Sequence, residues 1–418
     1  MQFFDIDPRV VDASEQAMKL CADRLREIES VQEYHQIKMV KAFQNAGVRE
    51  SYFCGSTGYG YDDFGRDALD RVYAYVFDAE DALVRHNFVS GTHALTVALF
   101  GMLRPGDTVI SANGMPYDTI RSAIGLEGSY PGSLKDFGIG FEITELLPDG
   151  TPDFEQIRAD VAAKKPKMVY IQRSRGYSVR PTLTIREIKK IAEITKKESP
   201  STIVMLDNCY GEFVEKTEPL SVGVDIMAGS LIKNPGGGIA PTGGYIAGRA
   251  ALVEMCAYRL TTPGTGKEIG ATLNTQREMF MGAYHAPHVT GEALKTAVFA
   301  AALFELLGYK TAPRYNEDRG DIIQLIMLDN PDNLIRFCGG IQSGSAVDSF
   351  VQPMPSDMPG YESQVIMAAG AFTLGSSIEL SADAPLREPY AVWMQGGLNF
   401  HAGKLGIMLA ADKVLRGQ

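Results

Sequence analysis

The sequence predicts an α/β fold: a mostly parallel sheet flanked by helices, with a smaller α+β domain at the carboxyl end. Three observations carry that expectation. From about residue 80 to 250, short apolar runs alternate with helical stretches, as in ALVRHNFVS before THALTVALFGML and KMVYIQRS before TIREIKKIAEITKK. Runs such as TIVMLDN and DIMAGSLIK are apolar on both faces, the mark of strands covered from both sides. Beyond the long helical stretch HVTGEALKTAVFAAALFELLGYK, the pieces DIIQLIMLD, SFVQPMP, ESQVIMAAGAF and SSIELSA read as strands without helices between them, before a helical end at LGIMLAADKVLRG.

In chain order, residues 1–50 read as an amphipathic helical arm, because Val10, Val11, Met18, Leu20, Leu25, Ile28 and Val31 recur at helical spacing with charges between them. Arms of this kind often lie on a second subunit. The stretch CGSTGYGYDDFG that follows is dominated by turn formers and reads as a loop. Residues 51–290 make the large α/β domain, whose ligand crevice is expected at the carboxyl ends of its strands. Residues 291–418 make the small α+β domain. With 418 residues and 45% hydrophobic content, the chain has enough apolar surface for both cores.

Charge narrows the function. Lys and Arg total 40 against 51 Asp and Glu, a net charge of -11, which argues against a dedicated binder of nucleic acid or anionic membrane. The start MQFFDIDPRVVDASEQ has no basic segment leading into a long apolar stretch, so a cytoplasmic protein is expected. The five cysteines are scattered, with no CxxC and no histidine at ligand spacing, so neither a zinc site nor a disulfide framework is expected.

The candidate chemistry collects where strands end. Asp207 closes TIVMLDN, a position from which a carboxylate faces a crevice and needs a cation to stay ionised; a helix N-cap would use the same residue. Lys233 ends DIMAGSLIK and precedes a glycine run, with Ser230 three residues before it. Near a cationic group and out of water, such a lysine loses affinity for its proton and becomes a nucleophile. In VSGTHALTVALF, Ser90, Gly91 and Thr92 lie between a strand and a helix, where free amides and the positive helix end favour a phosphate. Tyr117, after another strand end, is placed to lie over a flat ligand. TPGTGKE fails as a phosphate loop because its spacing lacks the first glycine and Glu268 replaces the magnesium-holding hydroxyl. A phosphate or nucleotide-binding module without catalysis is the alternative, although no GxGxxG follows ALVRHNFV.

Together, SGTHA, Asp207 and the S-x-x-K that ends in Lys233 resemble the fold-type I enzymes that use pyridoxal 5'-phosphate. More narrowly, GYGYDDFGRD, VSGTHA, QRSRGYS, LDNCYGEF, SLIKNPGGGIAPTGGYIAG and ADAPLREPY resemble the methionine gamma-lyase family, also described as aluminium resistance proteins and related to the cystathionine lyases. The resemblance implies a carbon-sulfur lyase acting on a sulfur amino acid. Lys233 would hold the cofactor as an internal aldimine and then serve as base and acid. Asp207 would pair with the pyridinium nitrogen, Gly91, Thr92 and Ser230 would bind the phosphate, and Tyr117 would stack on the ring. Tyr59, Tyr61 and Arg66 would complete the phosphate site from a neighbouring subunit of a homodimer or homotetramer, although the Tyr-x-Arg of the wider group is absent from GYGYDD. Tyr117 and Tyr59 are the phenols available to protonate the leaving sulfur. Arg387, Arg173 and Arg175 compete for the substrate carboxylate, whose two oxygens match a guanidinium fork. An aminotransferase on the same fold would use the same lysine and aspartate.

Overall fold

The computed structural model describes residues 3–128, 130–357 and 363–417. The arm is two helices, α1 (Pro8–Leu20) and α2 (Ala22–Asn45), broken at Cys21. Asp7 caps α1 by accepting from the Arg9 amide, at the position where Pro8 is well tolerated. Val10, Ala13 and Ala17 are buried in one core with Phe299, Leu303 and Ile407 of the same chain. Part of the arm's apolar face is therefore covered from within, while Leu20, Ile37 and Val40 stay exposed.

The large sheet follows, built by α3 (Phe64–Val76), β1 (Asp81–Arg85), α4 (Gly91–Met102), β2 (Thr108–Ser111), α5 (Asp118–Ile124), β3 (Gly140–Ile143), α6 (Phe154–Lys164), β4 (Met168–Gln172), α7 (Ile185–Glu198), β5 (Ile203–Asp207), β6 (Ile226–Ser230), β7 (Gly244–Gly248) and α8 (Ala250–Leu260). Its strand order is β1-β7-β6-β5-β4-β2-β3. Neighbours from β6 to β3 are parallel, whereas β7 runs antiparallel to both β6 and β1. Strand β1 thus points the same way as β6, which brings Ser90 and Gly91 to the edge where β2, β4, β5 and β6 end. Register places Asp207 beside Gln172 on one side and Ala228 on the other. Strands β4 to β7 are buried throughout, and apolar up to the polar residues Gln172, Asp207 and Ser230 that end β4, β5 and β6, because helices cover each side.

The second half holds α9 (Gln276–Leu306), β8 (Lys310–Ala312), β9 (Gln324–Met327), α10 (Pro331–Ser343), β10 (Val365–Ala369), β11 (Ser381–Pro385), β12 (Ala391–Gln395) and α11 (Phe400–Arg416). Its antiparallel sheet has the order β10-β11-β12-β9-β8. The strand-like pieces are not free of helices: α10 lies between β9 and β10, its apolar period interrupted in the sequence by Gly339 and Gly340, of which Gly340 lets it approach α11 closely. SFVQPMP forms no strand, and only Ser356 makes an isolated bridge, to Val365. Helix α9 serves two cores. Met279 to Ala286 pack with the large sheet, and Val289 to Phe304 with the second.

Candidate active site

Three segments meet at the carboxyl edge of the large sheet. β5 delivers Asp207, which is buried, and its Oδ1 accepts the Cys209 amide at 3.0 Å. β6 ends at Ser230, also buried, and the chain turns so that Lys233 lies three residues beyond the strand. α4 begins at Gly91, capped by Ser90, whose hydroxyl accepts the His93 amide at 3.1 Å. A Cβ on Gly91 would lie 3.2 Å from Ser230 Cβ and 3.3 Å from Cys209 Sγ, so the missing side chain lets helix start, serine and thiol close on one another. The amides of Gly91 and Thr92 have no partner inside the helix and face this edge. The Thr92 hydroxyl lies 2.6 Å from that of Thr119 at the start of α5.

Electrostatics tie the cluster together. Burial raises the Asp207 carboxyl above its ordinary value, and the Lys233 charge offsets part of that rise. Burial also pulls the Lys233 ammonium down, but the acidic groups of Cys209, Tyr210, Asp207 and Glu212 outweigh it and leave Lys233 above its ordinary value. Its Nζ stands 4.0 Å from the centre of the Tyr210 ring. Behind it, Tyr245 donates to Glu212 Oε1 at 2.7 Å, and burial pushes the Glu212 carboxyl up to about 8. Gly229 makes room for that carboxyl, since a Cβ there would stand 2.6 Å from Oε1.

A cavity of about 700 Å³ opens beside this edge. Tyr117, Arg175, Tyr177, Arg387 and Trp393 are among its walls. Tyr117 begins α5, its amide donating to Gln172 Oε1 at 2.6 Å, and Gly176 gives its ring room. Arg175 is 3% exposed, donates from Nη1 to the Ala312 carbonyl at 3.0 Å and keeps Nε buried without a partner. Arg387 is exposed on the turn after β11.

Other expected residues lie elsewhere. Arg173 is fully buried and spends its guanidinium on Asn208 Oδ1, the Gly211 carbonyl and Glu215 Oε2, at 2.9, 2.8 and 2.8 Å. It braces the chain after β5 and does not line the cavity. Arg66 is 2% exposed, and all its guanidinium nitrogens are engaged, with Asp67 and the carbonyls of Gly60, Gly270 and Glu268. It staples its own loop, with Nη2 making a single long contact of 3.4 Å to the Glu268 carbonyl. Tyr59 and Tyr61 are 72% and 62% exposed, side by side with ring centres 5.6 Å apart, and do not join the lysine cluster within this chain.

The structure adds residues that strand ends alone did not single out. Tyr210 sits under the lysine, Cys209 beside Gly91, and Tyr177 and Trp393 on the cavity wall. Arg180 donates to the Ser174 carbonyl at 2.6 Å, and burial lowers its guanidinium to about 10. Their signal was continuity: LDNCYGEF and QRSRGYSVR carry polar and aromatic residues directly after two buried strands, where a loop must face the crevice.

The donor set suits pyridoxal phosphate. It brings anion-seeking amides, the Ser230 hydroxyl, a buried carboxylate and a lysine to one sheet edge. Comparisons with known proteins agree. The family model described as methionine gamma-lyase matches residues 10–415. The chain is 49% identical to a carbon-sulfur lyase involved in aluminium resistance from Clostridium novyi, with a TM-score of 0.94 over 98% of this chain and 96% of that one. It is 47% identical to the protein YnbB of Bacillus subtilis over 94% of this chain and 93% of the relative. The pyridoxal-5'-phosphate dependent protein YhfS of Escherichia coli, at 16% identity and a TM-score of 0.61 over 92% of this chain and 97% of that one, shares the fold. The chain belongs to the methionine gamma-lyase family, the pyridoxal-phosphate-dependent carbon-sulfur lyases of fold-type I.

Proposed function

We propose that this chain eliminates a thiol from a small sulfur amino acid, with pyridoxal 5'-phosphate anchored on Lys233. The observation that carries the reading is the meeting of Lys233, Asp207 and the Gly91–Ser230 cradle at one sheet edge. When bound, the cofactor supplies an electron sink for the carbanion that forms at the α carbon. The chain's own residues do the rest. Asp207 would hold the ring nitrogen in its protonated form, and the amides of Gly91 and Thr92 with the Ser230 hydroxyl would take the phosphate. Lys233 Nζ removes the α proton and returns it further along the substrate. Tyr117, on the cavity wall, would stack on the ring, and Tyr117 and Tyr59 are the phenols that would protonate the leaving sulfur. Of the arginines that line the cavity, Arg387 and Arg175 are the candidates for the substrate carboxylate.

Methionine and water would give methanethiol, ammonia and 2-oxobutanoate; β-elimination from cystathionine or cysteine would give pyruvate. The exposed Tyr59 and Tyr61 fit a homodimer or homotetramer in which a second copy of this loop closes the phosphate end of the site. Borohydride reduction followed by peptide mapping is expected to leave a pyridoxyl group on Lys233, and keto acid analysis then separates 2-oxobutanoate from pyruvate. Full turnover by Lys233→Ala protein overturns the proposal.

A further inference from the structure

Tyr210 is held in an unusual way. Its φ is +72°, a left-handed conformation that an aromatic residue adopts only where its surroundings impose it. Three ties impose it. The buried Asn234 side chain, next to Lys233, donates from Nδ2 to the carbonyls of Tyr210 and Glu212, each at 3.0 Å. The Tyr210 hydroxyl donates to Ser377 Oγ at 3.0 Å, across to the second half of the chain. The ring itself packs against the buried group of Ile323, Leu325, Ala391 and Trp393. The result of this fastening is a ring whose centre lies 4.0 Å from Lys233 Nζ.

We propose that Tyr210 is a positioning residue for Lys233: its ring face is a fixed platform on which the ammonium rests, and Asn234 and Ser377 keep the platform still. The negative face of the ring attracts the cation and lowers the fraction of free amine. The same ties join the lysine turn to the loop after β5, so lysine and Asp207 keep one spacing. The interest of Lys233 rests on the function proposed above, but the platform is tested without cofactor or substrate.

The experiment is reductive methylation of the full-length chain freed of cofactor, with formaldehyde and cyanoborohydride at pH 8, read at Lys233 by peptide mapping. Only the free amine reacts, so the rate reports how firmly the ammonium is held. Tyr210→Phe keeps the ring and is expected to stay within about twofold of the native rate. Phenylalanines carrying one, two and three fluorines at position 210 keep the shape while draining the ring face, and the rate should climb stepwise to roughly three- to tenfold. A flat fluorine series overturns the proposal, as does a Tyr210→Phe rate already raised as far as the trifluorinated one, which would assign the effect to the hydroxyl. Failure of borohydride to trap a cofactor on Lys233 would remove the proposed function and leave this result standing.

Discussion

The lysine edge and the Gly- and Tyr-rich loop give the same kind of sequence signal, glycines beside chemically able side chains, yet they are built in opposite ways. At the lysine edge a buried carboxylate, a buried hydroxyl and Lys233 meet a helix start whose amides lack helical partners. In the loop, Asp63 accepts from the Ser56 and Thr272 hydroxyls and the Arg66 amide, and the Arg66 guanidinium is filled by its own chain. Spent hydrogen-bonding capacity marks structure, and unspent capacity at a sheet edge marks a site.

That contrast can be broken by mutation. Asp207→Asn is expected to leave the unfolding midpoint in urea nearly unchanged while lowering kcat/KM by roughly 10²- to 10³-fold, the usual scale for removing one preorganised charge. Equal losses of stability and turnover would show that Asp207 is scaffold. Arg66→Ala should do the reverse: it strands buried carbonyls and costs about 2–4 kcal/mol of folding stability, with kcat of the folded fraction within about threefold. A stable Arg66→Ala protein that turns over poorly would return Arg66 to the chemistry.

The smallest expected effect sharpens the lysine side. Glu212 is buried with its carboxyl raised to about 8 from an ordinary 4.5, so between those values the folded chain holds a proton that the unfolded chain has released. Its contribution to stability is full below the ordinary value and is lost as pH rises toward about 8. Glu212→Gln removes the titration and keeps the contact with Tyr245, so its melting temperature should be flatter than that of the native chain between pH 5 and 8. Parallel curves would move the pH dependence to another group.

Much of the fold was legible because strands buried on both faces write themselves as near-continuous apolar runs; β4, β5, β6 and β7 all appear where KMVYIQ, TIVMLD, DIMAGS and GGYIAG stand. Helix α10 was hidden because its glycines serve close packing against α11, which breaks a helical pattern without breaking the helix. In the site, residues that end strands were legible and the arginines were not. Arg173 and Arg175 are two positions apart in one stretch, but the chain turns after β4, so one guanidinium enters the interior and the other the cavity wall. Spacing carries no information about such a turn. Tyr210 stayed hidden for a similar reason, since its left-handed backbone aims a ring where neither strand nor helix period would send it.

The amino-terminal helix carries a consequence for how the chain is made. Asp7 donates its amide to Asp412 Oδ1 at 2.8 Å, a bond between residues 405 positions apart, and α1 shares its core with α11. On a ribosome adding about 5–20 residues per second, Val10, Ala13 and Ala17 would emerge roughly 20–80 s before the last helix that covers them. Throughout that interval their apolar stripe has no native partner at the carboxyl end. Helix α1 thus completes its native packing only when α11 is made, and removal of α11 would uncover α1 as well.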